Sequence, residues 1–487
     1  MMNGPNSIRS QMNQAIALQQ AGDLANAEDL YLAVLAQSPH HFDALHMMGA
    51  IYLQRYEPEQ ALPWLQKALA VHEADDALHL HLSLAYLSQK QWPQAHTHVL
   101  RSLSLNPNKA QTWVHCGAIE VAMGEVNKGL ASMGNAVALE PLNADAQYRY
   151  ALALGDQFHF QEALAALDRT LALQPDFANA RWNRAFLALM LGRYEEGWAD
   201  YEWRWRADLK MAKIQTNQPE WDGKTSLVGK TLFLLCEQGL GDTLQFCRYV
   251  PLLCAAGAKV LMGVQTELEG LLRTLPGSPQ VLRWGETIPH FDLTCPIMSL
   301  PRMFETTLTT IPAQVPYLWA NADKRAAWHA RLGPRTRPRW GLAWSGDPKH
   351  GNDAKRSIAL AEWLPHLRAD IEWISLQPKV RERDQPVLAQ SPIRPLGAEL
   401  QSFEDTAALC AELDGVMCVD TSVAHLAGAL GRPLKVLVPR YPDWRWLLDR
   451  DDSPWYPSAT IYRVGADGAW STVIAQAMAS LDAAVTA

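Results

Sequence analysis

Two carboxylates, each set between a short apolar run and a helical stretch, are the side chains of this sequence best placed to do chemistry. Asp242 follows Gly239-Leu240-Gly241, just after the apolar run 231–236. A carboxylate at a helix start has its ionised form favoured by the helix dipole. The position therefore suits a proton acceptor and a plain N-cap, worth about 1 kcal/mol, equally well. Asp420 opens the stretch Asp420-Thr421-Ser422-Val423-Ala424-His425, after the run 415–419. Free N–H groups of a helix start, with Thr and Ser hydroxyls beside them, form either a phosphate site or a simple capping turn. Lys355-Arg356 ends the polar loop that begins at Ser345-Gly346, where two cations either clamp a diphosphate or stand in solvent. Asp449-Arg450-Asp451 has a spacing that can hold Mn²⁺ or Mg²⁺, but between Trp444-Arg445-Trp446 and Ser453-Pro454 it reads as a polar loop.

These residues need strands and helices to hold them. The apolar runs at 231–236, 259–264, 339–344, 371–376, 415–419 and 434–438 have strand length, and helical stretches follow Gly241 and Thr421. Strand, loop, helix, strand is the start of an α/β domain, and ligands of such sheets bind outside the carboxyl ends of the strands. Gly239 and Gly241 sit in such a loop, but Leu244 stands where a dinucleotide fingerprint would need its third glycine. Two successive Rossmann-like domains are expected, at 207–335 and 336–487, with the boundary in the Arg/Pro-rich stretch 333–339.

The first part of the chain follows another rule. Pro39, Glu73, Pro107, Pro141 and Pro175 share one register of 34 residues. Small residues recur with it, at Ala15, Gly49, Ser83, Gly117, Ala151 and Ala185, and again at Ala27, Ala61, Ala95, Gly129, Ala163 and Gly197. This period resembles the tetratricopeptide helix hairpin, in which each repeat buries its apolar face against its neighbours. Six repeats in an α solenoid over 1–206 are expected. The array ends on Trp198, Trp203, Arg204, Trp205 and Arg206, a cap on the solenoid or a seam against the next domain. One column of the repeat reads Asn13, Met47, His81, His115, Arg149, Asn183. It is either a polar surface that grips an extended polypeptide or an ordinary solvated concave face.

Bulk properties remove several classes of function. The net charge is −8, with 14 Lys/Arg against 21 Asp/Glu in residues 1–206, so a basic nucleic-acid footprint is absent. No apolar run approaches a membrane span, and the start MMNGPNSIRSQMNQ lacks the apolar core of a signal peptide; a cytoplasmic location is expected. Seven cysteines without CxxC spacing read as buried thiols. The pairs His79/His81 and His96/His98 point to different sides of a helix and make poor chelates, so no metal is expected.

Glu237-Gln-Gly-Leu-Gly-Asp242 with Pro251, Trp344-Ser-Gly346 with Lys355-Arg356, and Val419-Asp-Thr-Ser-Val-Ala-His425 resemble, in order, the pattern of glycosyltransferase family 9, the heptosyltransferase-like enzymes. With tandem repeats ahead of it, the chain resembles bacterial tetratricopeptide glycosyltransferases. The resemblance implies a GT-B fold of two facing Rossmann-like domains, the acceptor on the first and a nucleotide-sugar on the second, with inversion and no metal or other cofactor. It makes Asp242 the general base, with Gly239, Leu240 and Gly241 on the acceptor side. Lys355 or Arg356 would steady the departing diphosphate. Ser345, Gly346 and the run Asp420 to His425 would hold the donor, and Gln377 would lie near its nucleoside. The architecture is also similar to that of the eukaryotic O-linked N-acetylglucosamine transferase, which implies a protein acceptor recruited by the repeats, such as a flagellin or another surface protein. A lipopolysaccharide or polysaccharide acceptor, and a non-catalytic adaptor with a degenerate transferase region, are the alternatives.

Overall fold

A register of small residues brings helices together in pairs. The computed structural model describes residues 7–207 and 213–481; the termini of the expected domains at 1, 487 and the linker residues 208–212 lie outside it. Its first helices are α1 (Ile8–Gln20), α2 (Leu24–Gln37), α3 (Phe42–Gln54), α4 (Pro58–Val71), α5 (Asp76–Ser88), α6 (Trp92–Leu105), α7 (Ala110–Ala122), α8 (Val126–Leu139), α9 (Ala144–Asp156), α10 (Phe160–Leu173), α11 (Ala178–Met190) and α12 (Tyr194–Tyr201). Within α7 and α8 a Cβ on Gly117 would lie 2.7 Å from the carbonyl oxygen of Gly129, and the reverse distance is the same. Only glycines permit that approach. Ala15, Ser83 and Ala151, with Ala27, Ala95 and Ala163, are buried at the matching places of other repeats. The turn inside each pair carries a left-handed residue at the same register: Gly22, Tyr56, Lys90, Gly124, Phe158 and Gly192 all have positive φ.

The chain forms two compact units, 1–180 and 181–487. Most of the last helix pair of the expected solenoid lies in the second unit. Its aromatic residues explain why. Trp198 is buried edge-on against Trp444 at 5.2 Å between ring centres and donates its indole N–H to the Thr306 carbonyl at 3.1 Å. Tyr194 accepts a hydrogen bond from the Trp455 indole at 2.9 Å. The tryptophan-rich stretch forms a seam within the second unit.

The rest of the second unit is α/β. β1 (Thr231–Leu235), β2 (Lys259–Val264), β3 (Gln280–Arg283) and β4 (Leu293–Pro296) form a parallel sheet in the order β3-β2-β1-β4. β5 (Arg339–Ala343), β6 (Glu372–Ser375), β7 (Gly415–Val419), β8 (Leu434–Val438) and β9 (Ala459–Arg463) form a second, in the order β6-β5-β7-β8-β9. β5, β7 and β8 are buried along their whole length, as parallel strands covered on both faces must be. Contacts with the second sheet's lobe begin before residue 335. The helix Ala322–Leu332 pairs with the second sheet's lobe through Lys324–Asp405 (2.5 Å), Arg325–Glu412 (2.6 Å) and Arg331–Glu399 (2.7 Å). The chain has crossed over by Tyr317, whose N–H donates to the Ala429 carbonyl at 3.0 Å. Among the described residues no helix is long and apolar enough to cross a membrane. All the cysteines are free thiols, buried except for the partly exposed Cys254.

Candidate functional site

Strand order decides where a site can form. In each sheet the sequence leaves from one side of a central strand and returns on the other, at β1/β4 and at β5/β7, which opens a crevice at the carboxyl ends of those strands. The loop after β1 leads into α13 (Leu240–Phe246), which carries Asp242. The loop after β5 carries Ser345 and Gly346, and β7 leads into the helix Ser422–Ala429. The two helix starts meet: a Cβ on Gly241 would fall 2.7 Å from Cδ2 of His425. A glycine is required there because His425 cannot yield. Its Nδ1 is 2.9 Å from the Tyr456 hydroxyl, its ring stacks on Trp446 at 5.6 Å, and burial with the cations Arg445, Arg248 and Arg356 holds it well below the usual imidazole range.

Asp242 uses both carboxylate oxygens. Oδ2 accepts the Gly239 N–H at 2.8 Å, while Oδ1 pairs with the Arg445 guanidinium. Arg445 is the centre of this seam. It is buried, lies over Trp444 at 4.2 Å, donates from Nε to Gln245 at 2.6 Å and from Nη1 to Asp443 at 2.8 Å. Asp420 is buried beside it. Burial pushes its carboxyl up to about 6, and the charge of Asp443 adds to this, against the pull of Arg356 and Arg445.

The structure brings Asp242, Asp420, His425 and Arg356 to one place and sorts the remaining expected residues. Arg356 is partly buried and acts electrostatically on Asp420 and His425, whereas Lys355 is exposed. At the helix start after β7 the capping turn is present. Thr421 Oγ1 accepts the Val423 N–H at 3.1 Å and the Thr421 carbonyl accepts that of Ala424 at 3.0 Å, so the turn caps itself. Gln377 supports a loop rather than facing open space: its Oε1 accepts the Ser345 N–H at 3.3 Å. The Gly346 N–H goes to Ser357 Oγ at 3.0 Å, and Arg381 donates to the Gly346 carbonyl at 3.1 Å and pairs with Asp353. Beside this loop lies a cavity of about 410 Å³ walled by Lys349, His350, Arg381 and Arg383. Asp449 and Asp451 lie in a polar loop in which Arg450 pairs with Asp452 at 2.5 Å.

Sequence reasoning missed Arg445, Asp443, Gln245 and the Arg204–Glu237 pair. Arg204 is fully buried and donates to Glu237 at 3.0 Å and to Ser299 at 2.8 Å. Burial pushes Glu237 up to about 7 against the pull of Arg204 and of the Met298 amide. An arginine between two tryptophans in the loop after β8, at the carboxyl edge of the sheet, was the available signal for Arg445.

In the first unit the polar column is contiguous where it can be followed. His115 acts on His81, Arg149 acts on His115, and burial is the main cause that pushes both imidazoles down to about 4. His81 Nδ1 is 2.8 Å from His46 Nε2, and Arg149 pairs with Asp145 at 2.8 Å. Asn13 is exposed on α1, and Asn183, on α11, belongs to the second unit.

Comparison with known proteins addresses the repeats. Tetratricopeptide-repeat family models match residues 42–74 and 151–202. Protein FlbA of Caulobacter vibrioides is 26% identical, across 96% of this chain and 83% of that protein. Among solved structures, YrrB, described as a TPR protein with an unusual peptide-binding site, is 21% identical over 36% of this chain and 91% of its own, with a TM-score of 0.31. PilF of Pseudomonas aeruginosa is 15% identical over 41% of this chain and 90% of its own, with a TM-score of 0.38. With the family-model matches, the 34-residue register makes the N-terminal helix pairs tetratricopeptide repeats.

Proposed function

We propose that the second unit is an inverting glycosyltransferase of GT-B type and that the repeats recruit its acceptor, a polypeptide. The observation that carries this reading is the meeting of Asp242 on the first sheet's helix start with Arg445, Asp420, His425 and Arg356 of the second, at the crevice where α/β sheets take ligands. An acceptor hydroxyl attacks the anomeric carbon and passes its proton to Asp242, while the bond from that carbon to the diphosphate breaks. Negative charge grows on the leaving diphosphate, and fixed cations are worth most there. Arg445 has two tasks in this scheme. It pairs with Asp242 Oδ1, and a diphosphate competes for the same guanidinium, freeing Oδ1 to accept the proton. The cationic walls of the neighbouring cavity, Lys349, Arg381 and Arg383, suit the anionic part of a donor.

A second reading, a non-catalytic adaptor, is favoured by the tightness of the same seam. Both oxygens of Asp242 are engaged, and Arg248 ties the lobes by donating to the Trp455 carbonyl at 2.7 Å and the Tyr317 hydroxyl at 2.9 Å.

Thermal shift against ADP-, UDP-, GDP-, TDP- and CMP-linked sugars separates the two. A ligand at 100 times its Kd stabilises by about 2.7 kcal/mol. One nucleotide class should shift the wild type, and Asp242→Asn, which keeps the shape of the cap, should keep the shift and lose about 10²- to 10⁴-fold in transfer. No shift with any donor supports the adaptor. A chain beginning at residue 175 should bind donor and fail to modify protein; unchanged protein modification would remove the recruiting role of the repeats.

A further inference from the structure

We propose that the first unit holds a transition-metal site, of the kind that takes Zn²⁺, built from His96 on α6 and Cys116 and Glu120 on α7. This inference is independent of the transferase reading. Cys116 and Glu120 are four residues apart on one helix and so share a face, and His96 reaches them from the preceding helix. One ligand atom from each lies within 4.8 Å of the others. Sequence spacing disfavoured the His96/His98 pair as a chelate; His96 has its partners across the repeat.

The carboxylate gives the reason to expect a cation. Glu120 is 6% exposed, and the polar groups around it are those of the cluster: the Ser132 hydroxyl donates to Oε2 at 2.6 Å, the Cys116 thiol bonds to the same carboxylate, and His96 Nε2 stands 3.4 Å from Oε1. Buried charges are paired or bind metal. Thiol, imidazole and carboxylate together form a donor set that suits Zn²⁺ with tetrahedral geometry. Ser132 Oγ, 3.8 Å from Cys116 Sγ, holds the Glu120 carboxylate in place, and a water would complete the shell. Tetrahedral bonds of about 2.0–2.3 Å put ligand atoms about 3.5 Å apart, so the set must close by about 1 Å. His96 keeps a quarter of its side chain exposed and is the ligand free to move. Binding there would staple α6, α7 and α8.

Co²⁺ added to the full-length, metal-stripped protein is the test, because a cobalt–thiolate bond gives a charge-transfer absorption that imidazole and carboxylate ligands do not. We expect that band to saturate at one equivalent, to bleach when Zn²⁺ displaces Co²⁺, and to vanish in Cys116→Ser. Glu120→Gln, which keeps the packing, should weaken Co²⁺ binding roughly tenfold or more. Circular dichroism of both variants reports that the helices remain. No band in the wild type, a band that survives Cys116→Ser, or cobalt held only by imidazoles such as the close His79/His98 pair would overturn the assignment.

Discussion

Replacing Arg445 by glutamine tests the seam most directly. The substitution removes the one cation that touches Asp242, Asp443 and Gln245 together. Breaking a buried ion pair by deleting one partner costs about 3–5 kcal/mol, because the remaining charge stays buried without compensation. Arg445 keeps 8% of its side chain exposed, but Asp242 keeps 18% and Asp443 29%, so water recovers part of the loss. The low end, about 3 kcal/mol, is the expected cost. For a unit of roughly 300 residues, with about 2 cal/mol/K of unfolding entropy per residue, that lowers its Tm by about 5 °C. Tryptophan fluorescence is the natural probe, since Trp444 lies against the guanidinium and is buried, as are Trp446 and Trp455 in the same lobe. Asp242→Asn alone removes one carboxylate from the pair, and in that background Arg445→Gln should cost about 1–2 kcal/mol less, which is the coupling of the pair. A loss below about 1 kcal/mol, or additive single effects, would falsify the claim that this ion pair holds the two helix starts together.

Four other substitutions and conditions follow from the same geometry. Tyr56 is 92% exposed with φ of 61°, so Tyr56→Gly relieves left-handed strain without losing packing and should stabilise the first unit by about 1 kcal/mol; a lower denaturation midpoint would contradict this. Gly241→Ala drives a methyl into His425 and should cost about 1–3 kcal/mol by overpacking, read as a drop in the second unit's midpoint alone. Arg204→Met strands Glu237 in the core and should cost about 3–5 kcal/mol, with Glu237→Gln in the same chain recovering part of it. His81 and His115 are held down to about 4 in the folded solenoid, so their unfolded forms bind more protons between about 4 and 6.5. The first unit should therefore lose stability as pH falls through that window, and His81→Asn with His115→Asn should flatten the profile; an unchanged slope would show that other groups set it.

The fold was legible wherever one rule acted along the chain. Six strands were readable because a parallel strand buried on both faces must be apolar throughout, as at 415–419 and 434–438. β3, β4 and β9 were not. β3 and β4 have four residues each, and β9, Ala459–Arg463, is only partly buried with polar side chains, so none carries a run long enough to stand out. In the site, Asp242, Asp420 and His425 were visible because each sits at a strand end or in the first turn of the helix that follows, and Arg356 because it ends the polar loop region after β5 beside Lys355. Arg445 was not, since its role depends on two segments about 200 residues apart meeting, and no local pattern records that. The left-handed turn shows the same limit. Gly22, Gly124 and Gly192 mark it in the sequence, but Tyr56, Lys90 and Phe158 adopt it because the repeat on either side leaves no other path.

The position of the last helix pair bears on any separation of recruitment from chemistry. A cut at residue 206, where the repeat pattern ends, would remove Tyr194, Trp198, Tyr201 and Arg204 from the second unit. Tyr201 donates to Gln238 at 3.2 Å and Arg204 donates to Glu237, so that cut also strips two supports from the loop that leads to Asp242. Loss of turnover after such a deletion would report damage to this loop as readily as loss of an acceptor. A cut in the turn before α11 keeps these contacts. The repeat pattern and the unit boundary differ because α12 serves two masters: its small residue Gly197 fits the solenoid register, where a Cβ would meet Leu189 at 2.6 Å, while its aromatic face fills the seam beside Trp444 and Trp455. One helix pair thus ends the array and completes the wall behind the carboxylate that the proposed chemistry requires.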